Sequence, residues 1–197
     1  MDHLSQPESN LCDIRPTTAV PGNVGNVQYG RRRRRETRRM THSVNPIPAG
    51  YTSLTPFLVV DGAARAVEFY RTVFGAEVVE RTDGPDGTIA HAELDFGHGR
   101  LQLSDPAPAM RLRAPDGTNT VDHSYVLYCT DADATFARAV EQGAQVFEEP
   151  STFVTGDRFG TILDPFGHRW AIMTRVEDVA PEEARRRIDE WLSSQSS

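Results

Sequence analysis

The sequence predicts an α+β fold of paired βαβββ modules, forming two side-by-side mixed sheets around a cleft. Two observations carry this. The order strand, acidic helix start, helix, Gly-Ala stop and returning strand runs through residues 54–79 and recurs in shorter form through 125–147. A repeat of that length defines the structural unit. The strands after each copy are also too many and too short for a doubly wound parallel sheet. At 197 residues the chain suits one such domain and a tail, long enough to bury its own core.

The elements follow in order. Residues 1–43 read as an Arg-rich leader, disordered because 1–39 have little apolar content and no periodicity, with Met40 as an alternative start. The domain is expected over 44–192, with module one at about 53–104 and module two at about 122–174. In module one a strand spans 53–60. Asp61 reads as an N-cap, and Ala66, Val67, Tyr70, Val73 and Phe74 form a helical stripe that faces a sheet. Gly75 stops the helix and a second strand follows at 76–81. After the turn at 83–87, residues 88–96 alternate: Ala90, Ala92, Leu94 and Phe96 on one face, His91, Glu93 and Asp95 on the other. Past Gly97-His98-Gly99, Leu101 and Leu103 alternate with Arg100, Gln102 and Ser104.

A loop at 105–120 joins the halves. Module two has a strand at 123–129, then a helix burying Phe136, Ala139, Val140 and Gly143, and a strand at 145–148. A loop passes Pro150 and Gly156, and strands at 158–163 and 168–174 flank the turn Asp164-Pro165-Phe166-Gly167. Pro181 opens a last helix at 181–192, whose apolar side is Ile188, Trp191 and Leu192; 193–197 is a tail.

Charge and composition exclude several classes. Residues 1–39 hold eight of the 21 basic residues, all arginine, and four of the 28 acids, a net +4; residues 40–197 carry −11. So acidic a body is a poor nucleic-acid binder. The two cysteines, Cys12 and Cys129, make no disulfide framework, which suits a reducing cytoplasm, the compartment expected here. No stretch approaches a membrane span. No phosphate-binding, dinucleotide or zinc-finger spacing occurs, and no hydrolase triad is suggested.

Four stretches carry a family resemblance: Thr55-Pro56-Phe57-Leu58-Val59-Val60-Asp61, Glu68-Phe69-Tyr70, Gly156-Asp157-Arg158-Phe159-Gly160 and Asp164-Pro165-Phe166-Gly167-His168-Arg169-Trp170. With the repeat, they resemble the vicinal oxygen chelate superfamily, in its PhnB-like, glyoxalase/bleomycin-resistance-like branch. The resemblance implies that fold, a small-molecule ligand and, in metal-using members, one divalent ion held by His, Gln or Glu on the first and last strand of each half. Carried over, those four places fall on Thr55, Gln102, Ser124 and Ala171, with His123 one residue from the third. Two hydroxyls, one amide and a methyl are a poor set for a transition metal. The expectation is therefore no cofactor, with a divalent metal as the alternative, held by His91, Glu93 and His123.

The resemblance leaves two readings of function. One is a small organic ligand bound in a cleft lined by Phe57, His91, Glu93, Arg158 and Phe159, with Thr55, Gln102 and Ser124 facing the same cavity. The other is an enzyme (lyase, dioxygenase or transferase), metal-dependent or using His91 and Glu93 as base and orienting acid. Since every second residue of a strand shares a face, the pair sits together on either reading. Arg158 is expected to pair with an anionic ligand group. The edge strands of so small a two-sheet unit, and the family, imply a homodimer.

Overall fold

The structure, a computed structural model, describes residues 44–118 and 120–195. The leader, Asn119 and the last two residues lie outside the described residues. Module one consists of β1 (Phe57–Val59), α1 (Ala63–Phe74), β2 (Glu77–Asp83), β3 (Ile89–Asp95) and β4 (Arg100–Ser104). Module two repeats the series as β5 (Tyr125–Tyr128), α2 (Ala132–Glu141), β6 (Gln145–Thr152), β7 (Asp157–Leu163) and β8 (Arg169–Arg175), and α3 (Pro181–Gln195) closes the chain. The sheets have the orders β1-β4-β3-β2 and β5-β8-β7-β6. In each, the first strand pairs parallel to the last and the other pairings are antiparallel. The predicted α+β architecture of two four-stranded mixed sheets is what the chain adopts.

One face of each sheet is covered by helices. α1 buries Ala63, Ala66, Val67, Phe69, Tyr70 and Val73, and α2 buries Ala132, Thr135, Phe136 and Ala139. They meet Leu58, Ala92, Leu94, Leu101 and Leu103 of sheet one and Ile162, Trp170 and Ile172 of sheet two in one continuous core. The opposite face of sheet one carries His91, Glu93, Arg100 and Gln102, and that of sheet two carries Val126, Phe159 and Ala171.

Several local expectations are corrected by tertiary contacts. The N-cap of α1 is Gly62, in the left-handed region at φ 89°, with no side-chain cap of its own. Asp105 takes that role from across the module: its Oδ1 accepts from the Gly62 and Ala63 N–H groups at 3.0 Å, and its Oδ2 from Ile89 N–H at 2.7 Å. Asp61, the expected cap, is exposed. Leu54, expected in the first strand, lies ahead of β1 and is exposed. In β3 the register slips between Thr82 and Asp83, so that Thr82 faces His91 while Asp83 faces Ile89. This bulge inverts the alternation at its start: Ile89 is buried and Ala90 exposed.

In module two Val140 is exposed rather than buried. β6 runs on through Pro150 to Thr152, with a register shift between Glu148 and Ser151. Proline is tolerated there because β6 is an edge strand and the bulge removes a ladder bond. Among the described residues of the joining loop, Pro108–Met110 form a 3-10 turn. α3 buries no residue fully; Trp191 packs edge-on against Phe153 at 5.2 Å.

Candidate functional site

The register of sheet one assembles the candidate site. Phe57 pairs with Gln102, Gln102 with Glu93, and Glu93 with Glu80, so one row crosses all four strands. Cross-strand partners point to the same side, here the open face, since Leu58, Leu103, Leu101, Ala92 and Leu94 take the helix side. His91 and Arg100 share the open face by the period of two.

Glu93 is the centre of this group. It is only 7% exposed, so it is no solvated surface acid. Gln102 Nε2 donates to its Oε1 at 3.0 Å, and Arg100 Nη1 donates to its Oε2 at 3.3 Å. His91 Nε2 stands 3.6 Å from Oε1, and the Phe57 ring lies 6.1 Å from the imidazole. The Tyr51 ring covers the Arg100 guanidinium at 4.5 Å. The nearby Tyr51 phenol is the largest influence holding that carboxyl below its usual range; burial opposes it, while Gln102, His91 and Arg100 reinforce it. A carboxylate with this many donors stays ionised at neutral pH.

Arg158 lies elsewhere. Phe159 pairs with Met173 and Thr161 with Ala171, while Arg158 pairs with Thr174 on the opposite parity. A methyl added at neighbouring Gly160 would come within 2.7 Å of Phe136 of α2, which marks the 158/160/162 side as the helix side. Arg158 accordingly donates from Nη2 to Asp133 Oδ1 of α2 at 2.6 Å. Its guanidinium ties helix to sheet and does not line the open face with Phe159, as had been expected.

The remaining expected residues divide between the modules. Thr55 is half-buried just ahead of β1. Ser124 is exposed ahead of β5 and donates to the Arg169 carbonyl at 3.4 Å. Ala171 pairs with Val126. Among the described residues no three His, Cys, Asp or Glu side chains converge as metal ligands, so His91, Glu93 and His123 are not brought together as such a set. The four places implied by the resemblance supply hydroxyl, amide and methyl groups, which do not fit a transition metal.

His123 belongs to a second group. Its Nδ1 hydrogen-bonds Asp122 and its Nε2 faces the Tyr125 hydroxyl at 2.9 Å. Burial pushes the Tyr125 phenol up to about 12, so it is a neutral donor. His168 stands behind, its ring 6.1 Å from that of His123, only 4% exposed, with Nε2 3.3 Å from the Val59 carbonyl. These side chains, with Phe57, Arg113 and Asp116, border a cavity of 510 Å³ between β1 and the joining loop.

Sequence reasoning missed Tyr51 and Arg100 as members of the site. Arg100 was legible, since it alternates in phase with Gln102. Tyr51 precedes any periodic element, and nothing in its neighbours marks it.

Comparison with known proteins identifies the family and the fold. Residues 51–172 match the family described as the Glyoxalase/Bleomycin resistance protein/Dioxygenase superfamily, and the chain belongs to that superfamily. A protein of Mycobacterium tuberculosis strain H37Rv, itself described as uncharacterized, is 37% identical over 158 residues, covering 79% of this chain and 88% of the relative. One from Mycobacterium bovis is 37% identical over 156 residues, covering 78% and 97%. Among solved structures, TioX from Micromonospora sp. ML1 aligns with a TM-score of 0.50 at 23% identity, over 63% of this chain and 98% of that one. The PhnB protein from Bacillus cereus aligns at 0.51 and 21%, over 62% and 99%. At such identities these structures establish the fold alone.

Proposed function

We propose that the chain is a small-molecule-binding member of this superfamily that holds an organic ligand on the open face of sheet one, without a tightly bound metal. The carrying observation is the state of Glu93. It is buried, ionised and already engaged by Gln102 and Arg100. A general base works best with a pKa near the operating pH, and the donors around Glu93 drive it the other way. Such a carboxylate suits a fixed acceptor for ligand N–H or O–H groups. Phe57 beside His91 adds an apolar wall, the mixture usual in ligand sites.

A second copy of the chain is part of this reading. Val126 and Tyr128 leave β5 59% and 55% exposed, and Val78 and Val79 of edge strand β2 are exposed as well. Apolar faces of this kind favour pairing as a homodimer that closes the cleft.

One observation favours an enzyme instead. His91, partly exposed, has Nε2 3.6 Å from Glu93 Oε1, so a modest rotation makes it a base oriented by a carboxylate. The two readings separate on His91→Ala. A thermal-shift screen of organic ligands, followed by calorimetric titration of the best, should show affinity reduced about tenfold or more by Glu93→Gln and changed little by His91→Ala. Turnover of the ligand that vanishes in His91→Ala would establish the enzyme.

A further inference from the structure

Tyr51 stands in an unusual relation to the site. Of residues 44–54 it alone turns inward; its ten neighbours in that segment are exposed. The segment's own hydrogen bonds are local: Tyr51 N–H to the Pro48 carbonyl at 3.2 Å, Ile47 N–H to Asn45 and the Thr52 hydroxyl to the Leu54 carbonyl. Its tie to sheet one is the Tyr51 side chain, stacked on Arg100 at 4.5 Å, the guanidinium that itself donates to Glu93 at 3.3 Å; the phenol is also the main influence lowering the Glu93 pKa. Gly50 permits the close approach. It sits at φ +83°, and a methyl there would come within 2.7 Å of Arg100 Nη2. Arg100 Nε is buried beneath without a hydrogen-bond partner.

A planar ring on a guanidinium, with its hydroxyl beside a buried carboxylate, is how a phenolic ligand would be held. Here a side chain of a loosely tied strap does the holding. We propose that Tyr51 is an internal occupant of the ligand seat, and that the seat takes a planar aromatic compound carrying a hydroxyl group, admitted when the 44–54 strap carries Tyr51 off Arg100 and Glu93. This rests on the ligand-binding reading above and names its ligand class and its gate. Stacking on the guanidinium is indifferent to substituents, whereas Glu93 selects the hydroxyl, because a ring without a donor leaves the carboxylate short of one. No bond is made or broken.

The test uses the full chain and p-cresol, which is the tyrosine side chain without its backbone, against toluene, which lacks the hydroxyl. Tyr51→Ala should bind p-cresol about tenfold or more tighter than wild type, and should prefer it to toluene by about tenfold, a preference lost when Glu93→Gln is added. Tyr51→Phe keeps the ring on Arg100 and should bind p-cresol as weakly as wild type does. Should Tyr51→Ala not fold, hydrogen exchange on wild type gives the same answer: saturating p-cresol should speed exchange of the Tyr51 amide about fivefold or more, and toluene should not. Equal p-cresol affinity in wild type and Tyr51→Ala, no preference over toluene, or an unmoved Tyr51 amide would overturn the proposal. If a screened ligand still binds wild type in a Glu93-dependent way, only the strap and its ligand class fall. If none does, the ligand-binding reading falls with them.

Discussion

The Tyr70 hydroxyl donates to Asp164 Oδ2 at 2.7 Å, joining the helix of the first module to the β7–β8 turn of the second. Asp164 is only 3% exposed. It also accepts from Trp170 Nε1 at 2.9 Å and, through Oδ1, from the Phe166 and His168 N–H groups. Buried carboxylates are tolerable only when so fully satisfied. The turn that carries part of the family resemblance is thus a structural hub between modules.

Removing the hub should be costly, and unequally so from its two ends. Tyr70→Phe loses one charge-assisted hydrogen bond, about 1.5–3 kcal/mol. Asp164→Ala strands four donors and should cost more, about 3–5 kcal/mol. Urea unfolding of both variants gives the comparison, and a larger loss for Tyr70→Phe would refute the hub.

The start of α1 gives a second comparison. Asp105→Ala removes the acceptor of three backbone donors and should lower stability by at least the 1 kcal/mol or so typical of a lost cap. Asp61→Ala, at the residue nearest in sequence, should stay within about 0.5 kcal/mol of wild type. Thermal unfolding of the pair decides which aspartate caps the helix.

Burial is the main cause that lowers the His168 pKa, with the nearby Asp164 charge and the Val59 carbonyl opposing it. The unfolded chain therefore takes up the proton first as pH falls. Stability should be full above about 6.5, the ordinary histidine value, and decline as pH drops from there toward the folded value. His168→Gln should flatten the pH dependence of the melting temperature in that window. A wild-type protein that becomes more stable on acidification through it would contradict the assignment.

Arg158→Ala tests the side of the sheet on which that residue lies. The pair with Asp133 is solvent-screened, so its loss should leave the melting temperature nearly unchanged. Ligand affinity should be unchanged. A marked fall in affinity on titration would place the guanidinium at the ligand after all.

Much of the fold was legible because its signals are local and repeated. The stripe from Ala66 to Phe74, the stop at Gly75 and the Asp131 cap, whose side chain accepts from Ala134 N–H at 2.9 Å, all lie within a turn of their targets. The misses came from partners distant in sequence. Asp105 caps a helix 42 residues away. The β3 bulge is set by β2 and moves Ile89 into the core in place of Ala90. At the site, strand parity put His91, Glu93 and Gln102 on one face. Parity at 158 and 159 was readable too, but the motif around Arg158 drew it toward the cleft. Tyr51 reaches Glu93 from outside any periodic element, so no pattern announced it.

On the ligand-binding reading proposed above, Glu93 is a permanently ionised anchor and not a proton-shuttling base. The direct measurement is a carboxyl-carbon NMR titration of Glu93 in the full chain, assigned with Glu93→Gln. The influence of Tyr51, with Gln102, His91 and Arg100, predicts an inflection below the ordinary glutamate value of about 4.3, with no further change through neutral pH. An inflection near neutrality would make Glu93 a base and rule out the fixed anchor.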